Sequence, residues 1–193
     1  TLDCDRSKWE VVFCNSDEKN AVSEPNGDKG GVGCLFDDDI NSYWHANWSG
    51  GTNNDDQFPQ LFQGGREMPI TIVVDMKESL IVHSIGWTQR QNSDYQDTKK
   101  VEYYVSDDEQ FKLGGKEDYS PVALNNWTFV MERSYQKGYN ATQWQTQSEE
   151  VLQKKVKGHL LKVKIVEGYR DRLASGAELD VKQLLAIDGE PIK

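Results

Sequence analysis

The sequence predicts an all-β sandwich of about eight antiparallel strands. Three observations carry that prediction: β-branched and aromatic runs that alternate with polar residues, turn signals between successive runs, and no amphipathic helical stretch. The 193 residues suit one hydrophobic core, so residues 1–193 are expected to form a single domain. Six tryptophans and 36% hydrophobic residues exclude disorder, while 28% charged residues describe a soluble, loop-rich protein.

Taken in order, Val11, Val12, Phe13 and Cys14 read as a first short strand, and 15–33, rich in Gly, Asn, Asp and Ser, as a long loop. An acidic bend follows, then a polar stretch over 47–69 with Trp48, Phe58, Leu61 and Phe62 set in it; a loop of that length is usually functional or mobile. The β-branched runs 70–76 and 80–90 are strands. In 100–106, Val101, Tyr103 and Val105 alternate with Glu102, Tyr104 and Ser106, which gives a strand with one wetter face. The acids of 107–110 and the pair Gly114-Gly115 mark loops. Residues 127–132 form the next strand, 135–149 is polar and irregular, 160–166 alternates with period two, and 178–187 closes the set. No internal repeat or Pro-rich linker divides the chain.

Chemistry concentrates in the bend. Asp37, Asp38 and Asp39 precede Asn41 and Ser42, and the aromatic cluster Tyr43, Trp44 and Trp48 with His45 follows at once. Short polar side chains compete for backbone hydrogen bonds, so this run is a loop and not a helix or a central strand. Crowded oxygens on a tight loop suit a hard cation such as Ca²⁺, which takes about six to eight oxygen ligands. The plainer reading is a solvated acidic turn leading into a core aromatic. The alternate-residue ligands, central Gly and closing Glu of an EF-hand are absent.

A net charge of −10 and a pI near 4.8 repel phosphate backbones and anionic headgroups, so nucleic acid and acidic membranes are poor partners, whereas a neutral sugar meets no such penalty. No apolar stretch approaches the roughly 18–20 residues of a bilayer span. The start Thr1-Leu2-Asp3-Cys4 lacks a basic and then apolar leader, which leads us to expect a domain cut from a longer exported chain. Cys4, Cys14 and Cys34 have neither C-x-x-C spacing nor His partners, leaving one bridge plus a free thiol, or three buried thiols. There is no G-x-S-x-G, H-E-x-x-H or P-loop, and the chain is expected not to be an enzyme.

The stretch Leu35-Phe36-Asp37-Asp38-Asp39-Ile40-Asn41-Ser42-Tyr43-Trp44-His45 resembles the A-x-D-G-D-x-x-T-x-W-H signature of discoidin (F5/8 type C) domains, the group that holds bacterial carbohydrate-binding modules of family 32. Asp5-Arg6-Ser7-Lys8-Trp9, Ile70-Thr71-Ile72-Val73-Val74-Asp75-Met76, Ile85-Gly86-Trp87-Thr88-Gln89-Arg90 and Ala177-Glu178-Leu179 match further pieces in the same order. The resemblance implies a jelly-roll β-sandwich with a structural Ca²⁺ held by Asp37, Asp39, Ser42 and Glu178, which would pin the first long loop to the last strand. It also implies ligand contacts from loops at one end of the sandwich: His45 and Arg90 on hydroxyls, Trp48 as a ring platform, and Asn92 and Tyr95 on the loop after Arg90. Duller roles stand beside these: His45 satisfying a carbonyl, Arg90 in an ion pair, Trp48 anchoring the long loop.

The chain departs from the pattern in several places. Asp38 stands where the family has Gly, Ser42 stands for Thr, and 47–69 looks like an insertion. Residues 172–176 before Glu178 lack the aromatic that many members stack on sugar. The implied function is a non-catalytic carbohydrate-binding module of a glycan-degrading or glycan-capturing protein outside the cytoplasm, secreted, at the cell surface or periplasmic. As an isolated domain it would be a monomer. The alternative is an adhesion domain that engages a protein or membrane through the apolar tip Phe58-Pro59-Gln60-Leu61-Phe62.

Overall fold

In the computed structural model, which describes residues 1–18, 31–48, 67–108, 126–138, 141–187 and 189–192, the alternation in the sequence becomes two antiparallel sheets closed on one core. The strands are β1 (Leu2–Asp3), β2 (Glu10–Cys14), β3 (Trp44–His45), β4 (Ile70–Leu80), β5 (Val82–Thr88), β6 (Thr98–Ser106), β7 (Thr128–Ser134), β8 (Gln143–Thr146), β9 (Gly158–Gly168), β10 (Ser175–Gly176), β11 (Glu178–Gln183), β12 (Ala186–Ile187) and β13 (Glu190–Pro191). One sheet is five-stranded in the order β2-β4-β9-β6-β7, and the other is four-stranded in the order β1-β11-β5-β8.

Period two sorts the side chains. Ile70, Ile72, Val74 and Met76 of β4, Val101, Tyr103 and Val105 of β6, and Leu161, Val163 and Ile165 of β9 face Ile85 and Trp87 of β5 and Leu179 and Val181 of β11 in one buried cluster. Burial of Leu- and Ile-sized side chains stabilises by about 1.5–3 kcal/mol each. The centre also has polar order: Tyr103 and Tyr135 share a hydroxyl hydrogen bond of 2.7 Å, and the Tyr135 ring stacks on Trp87 at 5.8 Å.

The expected strands are all present among the described residues, and 135–149 is more regular than the sequence suggests. Gln143–Thr146 pairs with β5 as an edge strand, and Ser148 caps the short helix α1 (Glu149–Gln153) by accepting from Val151 N. An edge strand with one buried face needs no strong apolar pattern, which is why QWQT reads as irregular. The end of the expected 15–33 loop is likewise a 3-10 turn over Gly31–Phe36. Cys14 and Cys34 are buried and Cys4 half-buried, and none of the three is in a disulfide; burial pushes Cys4 up to about 11 and Cys34 up to about 12, which disfavours the thiolate at both.

Candidate functional site

The acidic bend follows the Gly31–Phe36 turn. Asp37 Oδ1 accepts from Asp39 N at 2.9 Å and its Oδ2 from Ser42 Oγ at 2.6 Å, while Asp39 Oδ1 accepts from Asn41 N at 2.9 Å. Asp38 has φ 60, so the position where the family pattern has Gly keeps the left-handed backbone, at a residue type whose short polar side chain tolerates it. From the far end of the chain, Glu178 Oε1 accepts from Asp39 N at 3.0 Å. The four predicted cation ligands Asp37, Asp39, Ser42 and Glu178 therefore lie at one bend.

A residue absent from that set occupies the other side of Glu178. Arg6 is buried, and its Nη1 donates to Glu178 Oε2 at 2.5 Å, Leu179 O at 2.9 Å and Leu35 O at 3.1 Å. Its Nη2 pairs with Asp180 at 3.0 Å and with Asp38. Asp38, Glu178 and Asp180 offer oxygens within 4.8 Å of one another, a group that could hold a metal ion; here the guanidinium bonds to all three. Burial and the Asp37 carboxyl push Glu178 up to about 8 against the pull of Arg6. Glu178 thus holds a proton beside Asp37 at neutral pH, in an all-oxygen setting whose donor atoms are of the type a hard divalent cation takes once that proton leaves.

At one end of the sandwich a second group of side chains converges. Strand β3 pairs with β10, Trp44 opposite Gly176 and His45 opposite Ser175. Trp44 lies in the core as expected, donating Nε1–H to Ser16 O at 3.1 Å. His45 is buried: Nδ1 lies 2.5 Å from Ala46 O and Nε2 meets the Gln96 amide, which ties the ring to the 89–97 loop. Burial lowers its pKa, with nearby Arg90 acting in the same direction, so the ring is neutral at pH 7.

Loop 89–97 is held at its base by Gln89. Its Nε2 donates to Thr98 O at 2.8 Å and Gln136 O at 3.0 Å, and its Oε1 accepts from Trp87 Nε1 at 3.0 Å. Ser175 Oγ donates to Gln96 O at 3.0 Å, and Thr98 Oγ1 donates to Ser175 O at 2.9 Å. On this frame Arg90 lies with its guanidinium 3.9 Å above the Tyr43 ring and donates Nε–H to Asn92 Oδ1. Tyr95 is 53% exposed, and the Arg170 guanidinium covers its ring at 3.6 Å. Trp48 is 45% exposed, its backbone N–H held by Glu18 Oε2 at 2.9 Å.

The fold therefore brings His45, Arg90, Asn92 and Tyr95 to one loop cluster, with His45 beneath it and Tyr95 at its surface. Sequence reading missed Tyr43, Gln96 and Arg170, whose partners are distant in the chain, and Gln89, whose bonds reach both near and far. Phe58, Leu61, Phe62, Tyr139 and the Gly114-Gly115 loop lie outside the described residues.

Asp97 sits at the edge of this cluster, fully buried; its Oδ2 accepts from Gly138 N at 2.8 Å, and its Oδ1 has no hydrogen-bond partner among the described residues. Burial raises its pKa from 3.8 to about 6, so the folded chain holds that proton more tightly than the unfolded one. Its contribution is complete below pH ~4 and lost as pH rises through ~6. Asp97→Asn should thus gain stability relative to the parent by about 1–3 kcal/mol between pH 4 and 7.5 in paired urea titrations, and a pH-independent difference would reject the assignment.

No family model matches the chain, and no curated protein matches it. Solved structures do. The C-terminal domain of a chitobiase from Bacteroides fragilis superposes with a TM-score of 0.65 at 19% identity, over 94% of this chain and 97% of that one. The family 32 carbohydrate-binding module of NanJ from C. perfringens, in complex with galactose, gives 0.61 at 19% identity over 93% and 97%. A Clostridium perfringens module of that family in complex with GalNAc-beta-1,3-galactose gives 0.63 at 17% identity over 93% and 98%. The chain has the fold of these modules, the discoidin-type jelly-roll β-sandwich.

Proposed function

We propose that this chain is a non-catalytic carbohydrate-binding domain that takes a glycan at the loop end built from His45, Arg90, Asn92, Tyr95 and Trp48. The observation that carries the reading is the surface Tyr95 ring against Arg170, on the loop that also carries Arg90 over Tyr43, above the frame set by Gln89 and His45. An aromatic face takes a sugar's C–H side, and guanidinium forks take its hydroxyls. Structures with the same fold in complex with galactose and with GalNAc-beta-1,3-galactose support it. The domain would serve a glycan-degrading or glycan-capturing protein outside the cytoplasm, raising local concentration by tethering; by itself it would be a monomer.

Calorimetric titration against a glycan panel is the test: millimolar to micromolar binding is expected, weakened at least about tenfold by Arg90→Ala, roughly 1.4 kcal/mol. No binding to any glycan would end the proposal.

A structural Ca²⁺ between Asp37 and Glu178, with Asp39 and Ser42 completing the loop, belongs to the same reading. Calcium at a hundredfold excess over its Kd should add about 2.7 kcal/mol, or about 5–11 °C in Tm, reversed by chelator. An unchanged midpoint would remove the cation from the proposal.

A further inference from the structure

Resting on that reading, we propose that the sugar taken at this end is acidic, a uronate whose carboxylate is held by Arg170 over Tyr95, in the loop cluster that also carries Arg90. The chain has 32 acidic against 22 basic residues, so an arginine here has carboxylates to spare. Some surface cations elsewhere use them: Lys77 lies 2.6 Å from Glu10, Lys99 3.4 Å from Glu167 and Lys137 4.0 Å from Asp94. Among the described residues, Arg90 and Arg170 have no carboxylate within 4.0 Å. Each is instead laid flat on a tyrosine, Arg90 on Tyr43 and Arg170 on Tyr95.

Stacking fixes a guanidinium plane and leaves its in-plane N–H fork directed outward. Arg90 uses Nε–H on Asn92, and among the described residues neither arginine commits a terminal nitrogen to a hydrogen bond. Two pre-oriented forks without an anion match a planar carboxylate better than a hydroxyl, because charge-assisted bidentate bonds are about twice as strong as neutral ones.

The acids facing this place do not cancel it. Asp94 is beside Lys137, Asp97 is buried on Gly138 N, and exposed Asp171 is flanked by Arg170 and Arg172. The net −10 is spread over the whole chain, is screened within a Debye length of about 8 Å in physiological salt, and opposes polyanions more than one or two carboxylates at contact.

Trigalacturonate and trimannuronate, each titrated beside its neutral counterpart galactotriose or mannotriose, test this. Expected is at least about tenfold tighter binding of one acidic trisaccharide over its neutral partner, a preference that shrinks as salt rises from about 0.05 to about 0.5 M. Arg170→Gln should collapse that ratio towards unity, whereas Lys154→Gln, at the end of α1, should leave it intact. Equal affinity for acidic and neutral forms would overturn the uronate assignment and leave the carbohydrate-binding reading standing. Binding of neither form, together with a silent glycan panel, would overturn both.

Discussion

Arg6→Met should lower the unfolding free energy by about 3–5 kcal/mol, the scale of removing one partner from a buried ion pair. At about 2–4 °C per kcal/mol for a chain of this size, Tm should fall by about 6–20 °C. Met keeps most of the side-chain volume, so the loss reports on charge and hydrogen bonds and not on a cavity. The guanidinium is 5% exposed and satisfies Glu178, itself 4% exposed, with Asp180, Asp38 and the carbonyls of Leu35 and Leu179. Without it, Glu178 faces Asp37 and Asp180 in a buried setting with no organic cation. Arg6→Lys should fall between, because one ammonium cannot reach the same spread of acceptors. Adding Glu178→Gln to Arg6→Met should recover part of the loss, since the buried carboxyl left without its partner goes with it. Thermal melts of the four proteins would check this, and a Tm within about 2 °C of the parent for Arg6→Met would show the pairing to be idle.

The contrast between Glu178 and Arg6 shows what could be read in advance. Glu178 sits in a short string that resembles a discoidin motif, so its meeting with the acidic bend was expected. Arg6 lies in a matched stretch too, but a buried arginine whose partners lie 29 to 174 positions away leaves no local trace. The same logic runs through the fold. Strands β4, β6 and β9 announce themselves because both neighbours are paired and one face is buried, which demands strict alternation. Strand β8 pairs on one side only, and β3 and β10 are two residues each, too short to carry a period.

Site residues divide in the same way. His45, Arg90 and Tyr95 could be named from their positions in or after the signature, but not the burial of the imidazole on Gln96 or the laying of Arg170 on Tyr95. Residues 172–176 lack the expected aromatic, and the ring exposed nearby is Tyr95, from a different loop. The expectation of a neutral sugar followed from total charge, which carries no information on how single cations are placed.

Gly176→Ala should cost about 3 kcal/mol and remove binding together with stability, because it strikes the joint between core and site. Gly176 pairs with Trp44, and a Cβ there would lie 2.3 Å from Trp87 Cζ2 and 2.9 Å from Cη2. The indole cannot retreat easily: it is fully buried, stacked on Tyr135 at 5.8 Å and held by Gln89 through Nε1. Strand β10 must yield instead. Its movement would break the pairing of Ser175 with His45 and the Ser175 bonds to Gln96 and Thr98, which together set the 89–97 loop. The expected result is a Tm lower by about 6–12 °C, and glycan affinity reduced more than about tenfold at temperatures where the variant remains folded. Trp87→Phe in the same chain should restore space beneath Ala and recover part of both losses, giving a favourable coupling in the double-mutant cycle. If Gly176→Ala kept full affinity despite its lower midpoint, the β3–β10 joint would not position the proposed binding loop. A midpoint equal to the parent's would mean that the core can accommodate the methyl without moving the strand.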